Sequence, residues 1–238
     1  MAVKASGTAA KALSVLDAVA RLQPIGVSAL ARHLGEDKSM VQRMLVTLAQ
    51  QGWIRPERDR ATKWRATMRL RLLADLACPQ ADLRSLARPV MEELRDRTGE
   101  TISLVAIDGD RLIVIDVVES EALLRAVPTI GLEVPGPVSA SSLAALPWLA
   151  RTEQVAILGA EPGLKVQRQI ENVRAKGFAV LESERGGGTV SIAAPVFDDH
   201  GALAAVLVLS APVARLSPPH RDAIGSEIAN AAAAIANA

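Results

Sequence analysis

A chain of 238 residues allows one large domain or two of ordinary size, and with half its residues hydrophobic and its charges mixed it is not a disordered segment. Three Trp, two Phe and no Tyr leave the core to Ala, Val, Leu and Ile. The net charge of +1 excludes a chain that is basic throughout, yet eleven bases against five acids give residues 1–66 a charge of +6 and leave −5 for the rest. That asymmetry fits a polyanion-binding head on an acidic body, and equally an ordinary solvated surface.

In chain order, Leu13, Leu16, Val19, Ala20 and Leu22 recur at helical spacing and predict an amphipathic helix over 10–23, broken by Pro24 and Gly26. Ser28 is expected to cap a short second helix carrying Leu30, Ala31 and Leu34, and Gly35 to close it. Ser39 and Gln42 have capping-box spacing, so a third helix is expected from 37 or 39 to 51, burying Val41, Leu45 and Leu48. Two helices joined by a tight Gly turn form a helix-turn-helix, whose second helix reads base edges with its first residues. Those are Ser39, Met40, Gln42 and Arg43, expected to face away from the apolar stripe, with Lys38 suited to a phosphate. The pattern then runs strand, polar turn, strand over 53–65, a wing whose Arg58, Arg60 and Lys63 would meet the sugar-phosphate backbone. Trp53 and Trp64 are expected to pack on the third helix.

Residues 68–77 read as a helix that is apolar on more than one side, as a linker packed against its own body or a second subunit would be. A second amphipathic helix is expected over 82–98, then strands at 101–107, 112–118 and 122–127. A helix interrupted by Pro147 follows over 139–150, then a clear one over 165–176 ended by Gly177. Strands at 178–181, 190–197 and 203–210 and an Ala-rich helix capped by Ser217 complete the chain. The fold class is therefore α+β in two domains: residues 1–66, a linker helix over 67–80, and 81–238 with a central antiparallel sheet flanked by helices.

Enzymatic constellations are sparse. His33, His200 and His220 lack metal-ligand spacing, and the single Cys78 builds neither a disulfide nor a thiolate metal site, so no metal and no cofactor is expected. Ser141-Ser142 lacks the frame of a nucleophile elbow. Asp108 and Asp110 sit in a turn near Asp116. Gly186-Gly187-Gly188 lacks the Lys-Ser/Thr of a phosphate loop and reads as a loop beside a pocket. There is no signal pattern and no apolar run of the ~18–20 residues that cross a bilayer, so a cytoplasmic protein without a membrane partner is expected. Two other classes stay open: a hydrolase, and a sensor or scaffold that does not bind DNA.

Four stretches carry a family resemblance. They are Lys38-Ser39-Met40-Val41-Gln42-Arg43 leading to Gly52-Trp53-Ile54; Asp82-Leu83-Arg84-Ser85-Leu86-Ala87-Arg88-Pro89; Thr98-Gly99-Glu100-Thr101; and Ile192-Ala193-Ala194-Pro195-Val196-Phe197-Asp198. In order and spacing the chain resembles the IclR family of bacterial transcription regulators over nearly its whole length. The resemblance implies a winged helix-turn-helix that binds operator DNA, a linker helix used in dimerisation, and a GAF-like effector domain in a dimer or tetramer that responds to a small molecule.

The resemblance also implies a pocket. One wall usually reads Pro-Leu-His-Ala-Thr-Ala-Leu-Gly-Lys; here the matching run is 135–143, with Pro137, Ser142 and Leu143 replacing the His, Gly and Lys and with Val138 and Ser139 between. The other wall, polar in members that bind small carboxylates, aligns with Leu181, Ser191, Val208 and Ser210, two of them apolar. Losing two hydrogen-bond partners at ~1–3 kcal/mol each would hold a short carboxylate poorly. The expectation is a larger, apolar or aromatic effector oriented by Ser191 and Ser210 with Ser139 or Ser142. The alternative is that these positions only pack.

Overall fold

The computed structural model describes residues 4–58, 61–77, 83–136, 139–183 and 188–236, and the expectations placed on Arg60, Cys78, Pro137, Val138, Gly186 and Gly187 fall outside them. The chain divides into two compact units, Met1–Ala81 and Asp82–Ala238.

In the first unit, helices α1 (Gly7–Leu22), α2 (Val27–Leu34) and α3 (Lys38–Gln50) enclose a core of Val15, Val19, Leu30, Val41, Leu45, Ile54 and Trp64. Gly35 ends α2 in the left-handed region (φ 64°), and its N–H bonds back to the carbonyls of Ala31 and Arg32. Gly26, not Ser28, stands at the start of α2, because residues 25–26 are held extended as strand β1 (Ile25–Gly26). β1 pairs with β3 (Thr62–Ala66), whose other neighbour is β2 (Ile54–Arg58), so the expected hairpin is the larger part of a three-stranded antiparallel sheet. Helix α4 (Arg69–Ala77) follows.

The second unit is built on a six-stranded antiparallel sheet of order β6-β5-β4-β9-β8-β7. The strands are β4 (Thr101–Asp108), β5 (Arg111–Val118), β6 (Glu133–Val134), β7 (Ala179–Ser183), β8 (Thr189–Phe197) and β9 (Leu203–Pro212). Inside the sheet, β8 and β9 are largely apolar on both sides, as strands covered on two faces must be. One face carries α5 (Leu83–Thr98) and α9 (Pro218–Ala236) over Ile102, Leu104, Ile192, Leu207 and Leu209. The other carries α6 (Ala140–Ala145) and α8 (Leu164–Lys176) over Val105, Val114, Ala193, Val206 and Val208. At Gly225, α9 lies so near the sheet side that an added Cβ would stand 2.2 Å from the ring of Phe178.

Three expectations are corrected here. Residues 122–127 form no strand: Ser120 Oγ donates to the Gly99 carbonyl and accepts the Ala122 N–H, which turns the chain away, and it returns to β5 only at Gly131 and Leu132, both bonded to Val114. The 139–150 helix breaks at Pro147 into α6 and a 3₁₀ turn (Leu146–Trp148). A helix absent from the sequence reading, α7 (Arg151–Leu158), then starts where Glu153 accepts the Ala150 N–H at 2.7 Å.

Candidate functional site

The start of α3 is organised by Asp37, which takes the capping role expected of Ser39. Its Oδ1 accepts the N–H groups of Ser39 and Met40 at 2.9 and 3.1 Å and the Ser39 hydroxyl at 2.5 Å. A carboxylate is the better acceptor at the positive end of a helix. These bonds, the Ser39 hydroxyl first, hold the Asp37 carboxyl below its ordinary range. One consequence bears on Lys38: the helix end already has its anion, so a phosphate there would be held by the lysine side chain and not by the helix terminus.

Along α3 the buried stripe is Val41, Leu45 and Leu48. Ser39, Gln42 and Arg43 are exposed, and the same face continues through Val46, Thr47 and Gln50, which the sequence reading did not single out. Arg43 reaches back to the Ser39 hydroxyl at 3.5 Å. Met40 departs from expectation: it is half-buried against the core of the unit, because its side chain shares the flank on which Met44 also packs. In the wing, Lys63 is exposed, and Arg58 pairs with Thr62 at the turn end of the hairpin. Arg65 is held by Glu57 at 2.7 Å. Trp64 is buried in the core, whereas Trp53 is half-buried and lies under the Arg69 guanidinium, 4.5 Å from the ring centre.

The expected effector positions come together on one face of the large sheet. Leu181, Ser191 and Ser210 are direct cross-strand neighbours on β7, β8 and β9, and Val208 stands one pair further along β9 beside Ala193. The Ser191 and Ser210 hydroxyls lie 3.1 Å apart and bond to each other. The row continues onto β4, where Thr101 opposes Ser210 and Ser103 opposes Val208; both are buried, and only the pairing of β4 with β9 reveals them. Above this face stands α6. Ser139 caps it, accepting the Ser142 N–H at 3.1 Å, while its hydroxyl bonds that of Ser142 and Ser142 Oγ returns to the Ser139 carbonyl. Both hydroxyls take part in starting the helix. Concavities of about 520 and 200 Å³ run along α8 and beside β7, and neither is lined by these residues.

The remaining candidates stay apart. His33 is exposed, His200 neighbours Asp199, and the His220 ring bonds the Ser217 hydroxyl. Asp108 pairs with Arg111, while Asp116 is buried under Arg88. Among the described residues no group of three His, Cys, Asp or Glu side chains is placed to hold a metal ion, and no helix is long and apolar enough to cross a membrane.

Comparison with known proteins agrees with this division. Residues 8–58 match the model of the IclR helix-turn-helix domain, and residues 76–237 match that of the bacterial transcriptional regulator IclR C-terminal region. The chain is 32% identical over 218 residues to the HTH-type transcriptional regulator KdgR of Escherichia coli (strain K12), covering 87% of this chain and 82% of that protein. It is 24% identical over 222 residues to the transcriptional repressor IclR of the same organism, covering 87% and 80%. Among solved structures, Thermotoga maritima IclR superposes with a TM-score of 0.71 at 23% identity, covering 97% of each chain. The chain belongs to the IclR family of bacterial transcriptional regulators.

Proposed function

We propose that this regulator is a one-component switch: it binds operator DNA as a dimer or tetramer through α3 and the wing, and a small molecule received by the second unit alters that binding. The observation that carries the DNA half is the exposed row Ser39, Gln42, Arg43, Thr47 and Gln50 on α3, backed by the +6 charge of residues 1–66. Gln pairs bidentately with adenine and Arg with guanine, while Lys38, Arg58, Arg60 and Lys63 supply phosphate contacts that position without specifying. Met40 adds its exposed portion to the edge of that face.

Residues 67–80 act as a linker between a DNA-binding domain (1–66) and an effector domain (81–238). On α4, Leu72 and Leu76 are 60% and 79% exposed, and Met68 just before it 71%. Three large apolar side chains open to water in so short a stretch support a second copy of the chain as their cover. The effector is read as apolar or aromatic. Ser191 and Ser210 supply the polar pair, Leu181 and Val208 the apolar floor, and Ser139 and Ser142 the segment above, with Pro137 and Val138 assigned to the site by the family resemblance alone. The location is cytoplasmic, and no catalytic role is assigned.

Selection of duplexes from random or genomic fragments by the purified full-length protein, followed by binding at several salt concentrations, tests the reading. A specific site should emerge, and log K should fall linearly with log salt, with a slope near −0.9 per phosphate contact. Binding that is equally tight to all sequences would leave the sensor-without-operator alternative standing.

A further inference from the structure

The sequence and the family explain that a linker helix follows the wing, not how its direction reaches the recognition helix. Among the described residues of the first unit, the two meet at the end of α3. The α3 helix ends at Gln50 with Gln51 as its C-cap, and like any helix end it leaves carbonyls without an intrahelical partner. The guanidinium of Arg69, the first residue of α4, donates to the Gln51 carbonyl. The same group stacks on Trp53, 4.5 Å from the ring centre. Between them, Thr67 Oγ1 bonds the carbonyls of Gly52 and Trp53 at 2.7 and 3.1 Å and accepts the Arg69 N–H at 3.3 Å, while the Thr67 N–H donates to the Trp53 carbonyl at 3.0 Å. Gly52 turns the chain here with φ 77°, and an added Cβ would stand 3.6 Å from the Arg69 guanidinium.

A guanidinium that both bonds a carbonyl and sits over an indole ring is held at two points, which fixes its orientation in a way a single point contact does not. It also places a cation at the negative end of α3. Beyond its first turn α4 exposes Leu72, Leu73 and Leu76, whereas its first residue is bonded to the end of the recognition helix.

We infer that Arg69, with Thr67, is a positioning residue for DNA recognition: it makes α3 turn with α4 as one piece. The inference rests on the dimeric reading above. Two recognition helices must lie about 34 Å apart to occupy neighbouring major grooves, so a stiff joint raises the effective concentration of the second head at its half-site.

The test uses full-length Arg69→Ala and, independently, Thr67→Val, with duplexes from the selection carrying one half-site, two half-sites, or two with base pairs inserted between them. Wild type should prefer two half-sites by about 10²-fold or more, and insertion should abolish that preference. Each variant should bind a single half-site within about threefold of wild type, lose about tenfold of the two-site preference, and tolerate insertions better. Circular dichroism melts accompany every variant. Unchanged two-site preference and spacing dependence in both variants would overturn the inference. So would single-site binding that falls in step with the melting temperature, which would make the joint a folding contact only. A wild type without any two-site preference would overturn the dimeric reading itself, and this inference with it.

Discussion

Arg88 on α5 and Asp116 on β5 meet at 3.1 Å, and the meeting depends on an extra residue in the strand. Leu104 pairs with Asp116 but Val105 pairs with Val114, so Ile115 is inserted as a bulge. The bulge turns Asp116 onto the α5 face, where strict alternation would have sent it to the opposite one. There its carboxylate, 5% exposed, also accepts the Val117 N–H at 2.8 Å and faces Arg84 at 3.7 Å. Asp116→Ala should therefore destabilise the second unit by about 1–3 kcal/mol, the range for a lost charge-assisted hydrogen-bond set. Arg88→Ala should cost less than Arg88→Ala with Arg84→Ala, since the second arginine partly substitutes. Denaturant unfolding of the full chain checks the ordering; equal losses would place the whole effect on Arg88.

Acid should loosen the start of the recognition helix. The Asp37 carboxyl is held below the unfolded value of about 4, first by the Ser39 hydroxyl and next by the Met40 amide, so the stabilisation is present above that value and is lost as pH falls through the lower folded one. The expected signature is a loss of stability below about pH 4 that Asp37→Asn lacks, since a neutral amide still caps but does not titrate. Melts recorded from pH 7 downward would show it; a parallel pH dependence in the variant would assign the loss to other carboxylates.

Base reading and backbone contact should separate by mutation. Gln42→Ala or Arg43→Ala should each lose about 1–3 kcal/mol of discrimination at one base position of the selected site. Lys63→Ala should weaken all sequences alike and make the salt slope shallower by about 1. Competition binding with single-base variants at fixed salt distinguishes the two patterns, and a uniform loss in Arg43→Ala would remove it from the reading face.

Charge on the apolar face of α4 should break the assembly. Leu72→Glu with Leu76→Glu places two carboxylates where a partner is proposed, at little cost to a single chain because both positions are exposed. Sedimentation velocity should show a shift to monomer with the melting profile of the second unit retained. An unaltered oligomer would move the interface elsewhere.

The serine pair makes a specific demand of ligands. Ser191 and Ser210 spend one hydroxyl hydrogen between them, so the accepting hydroxyl keeps its own hydrogen for an acceptor group on the ligand. Thermal-shift screening with matched aliphatic, aromatic and short carboxylic acids should show stabilisation by the larger apolar members, reduced in Ser191→Ala. Val208→Ser should improve the response to short acids. Stabilisation of wild type by the short acids alone would reverse the assignment of effector class.

How far the chain could be read from its letters follows from which forces are local. Helices α1, α3, α5 and α8 announced themselves because each buries a regular stripe. Strands β8 and β9 did so because short runs dominated by Val, Ile, Leu and Ala have few other uses. Strand β1 was hidden, since two residues carry no period and only β3 makes them extended. Asp37 was passed over for Ser39 because both lie where a cap could stand, and choosing between them needs the geometry of the turn after Gly35. In the effector unit the row Leu181, Ser191 and Ser210 was legible through the family resemblance, while Thr101 and Ser103 join it only once β4 is known to lie beside β9. The Arg69 joint could not be read at all, as nothing in the order of residues says that a guanidinium will find the end of a helix eighteen positions earlier.

The bare Cα of Gly225 has an implication for how the molecule closes. A long Ala-rich helix is otherwise a smooth rod that could settle against the sheet at several heights. Phe178 fills a notch cut at one point along that rod, so only one height brings Ile228, Ala232 and Ile235 down onto the core beneath. Any larger residue at 225 would collide with that ring and lift this stretch of the helix off the core.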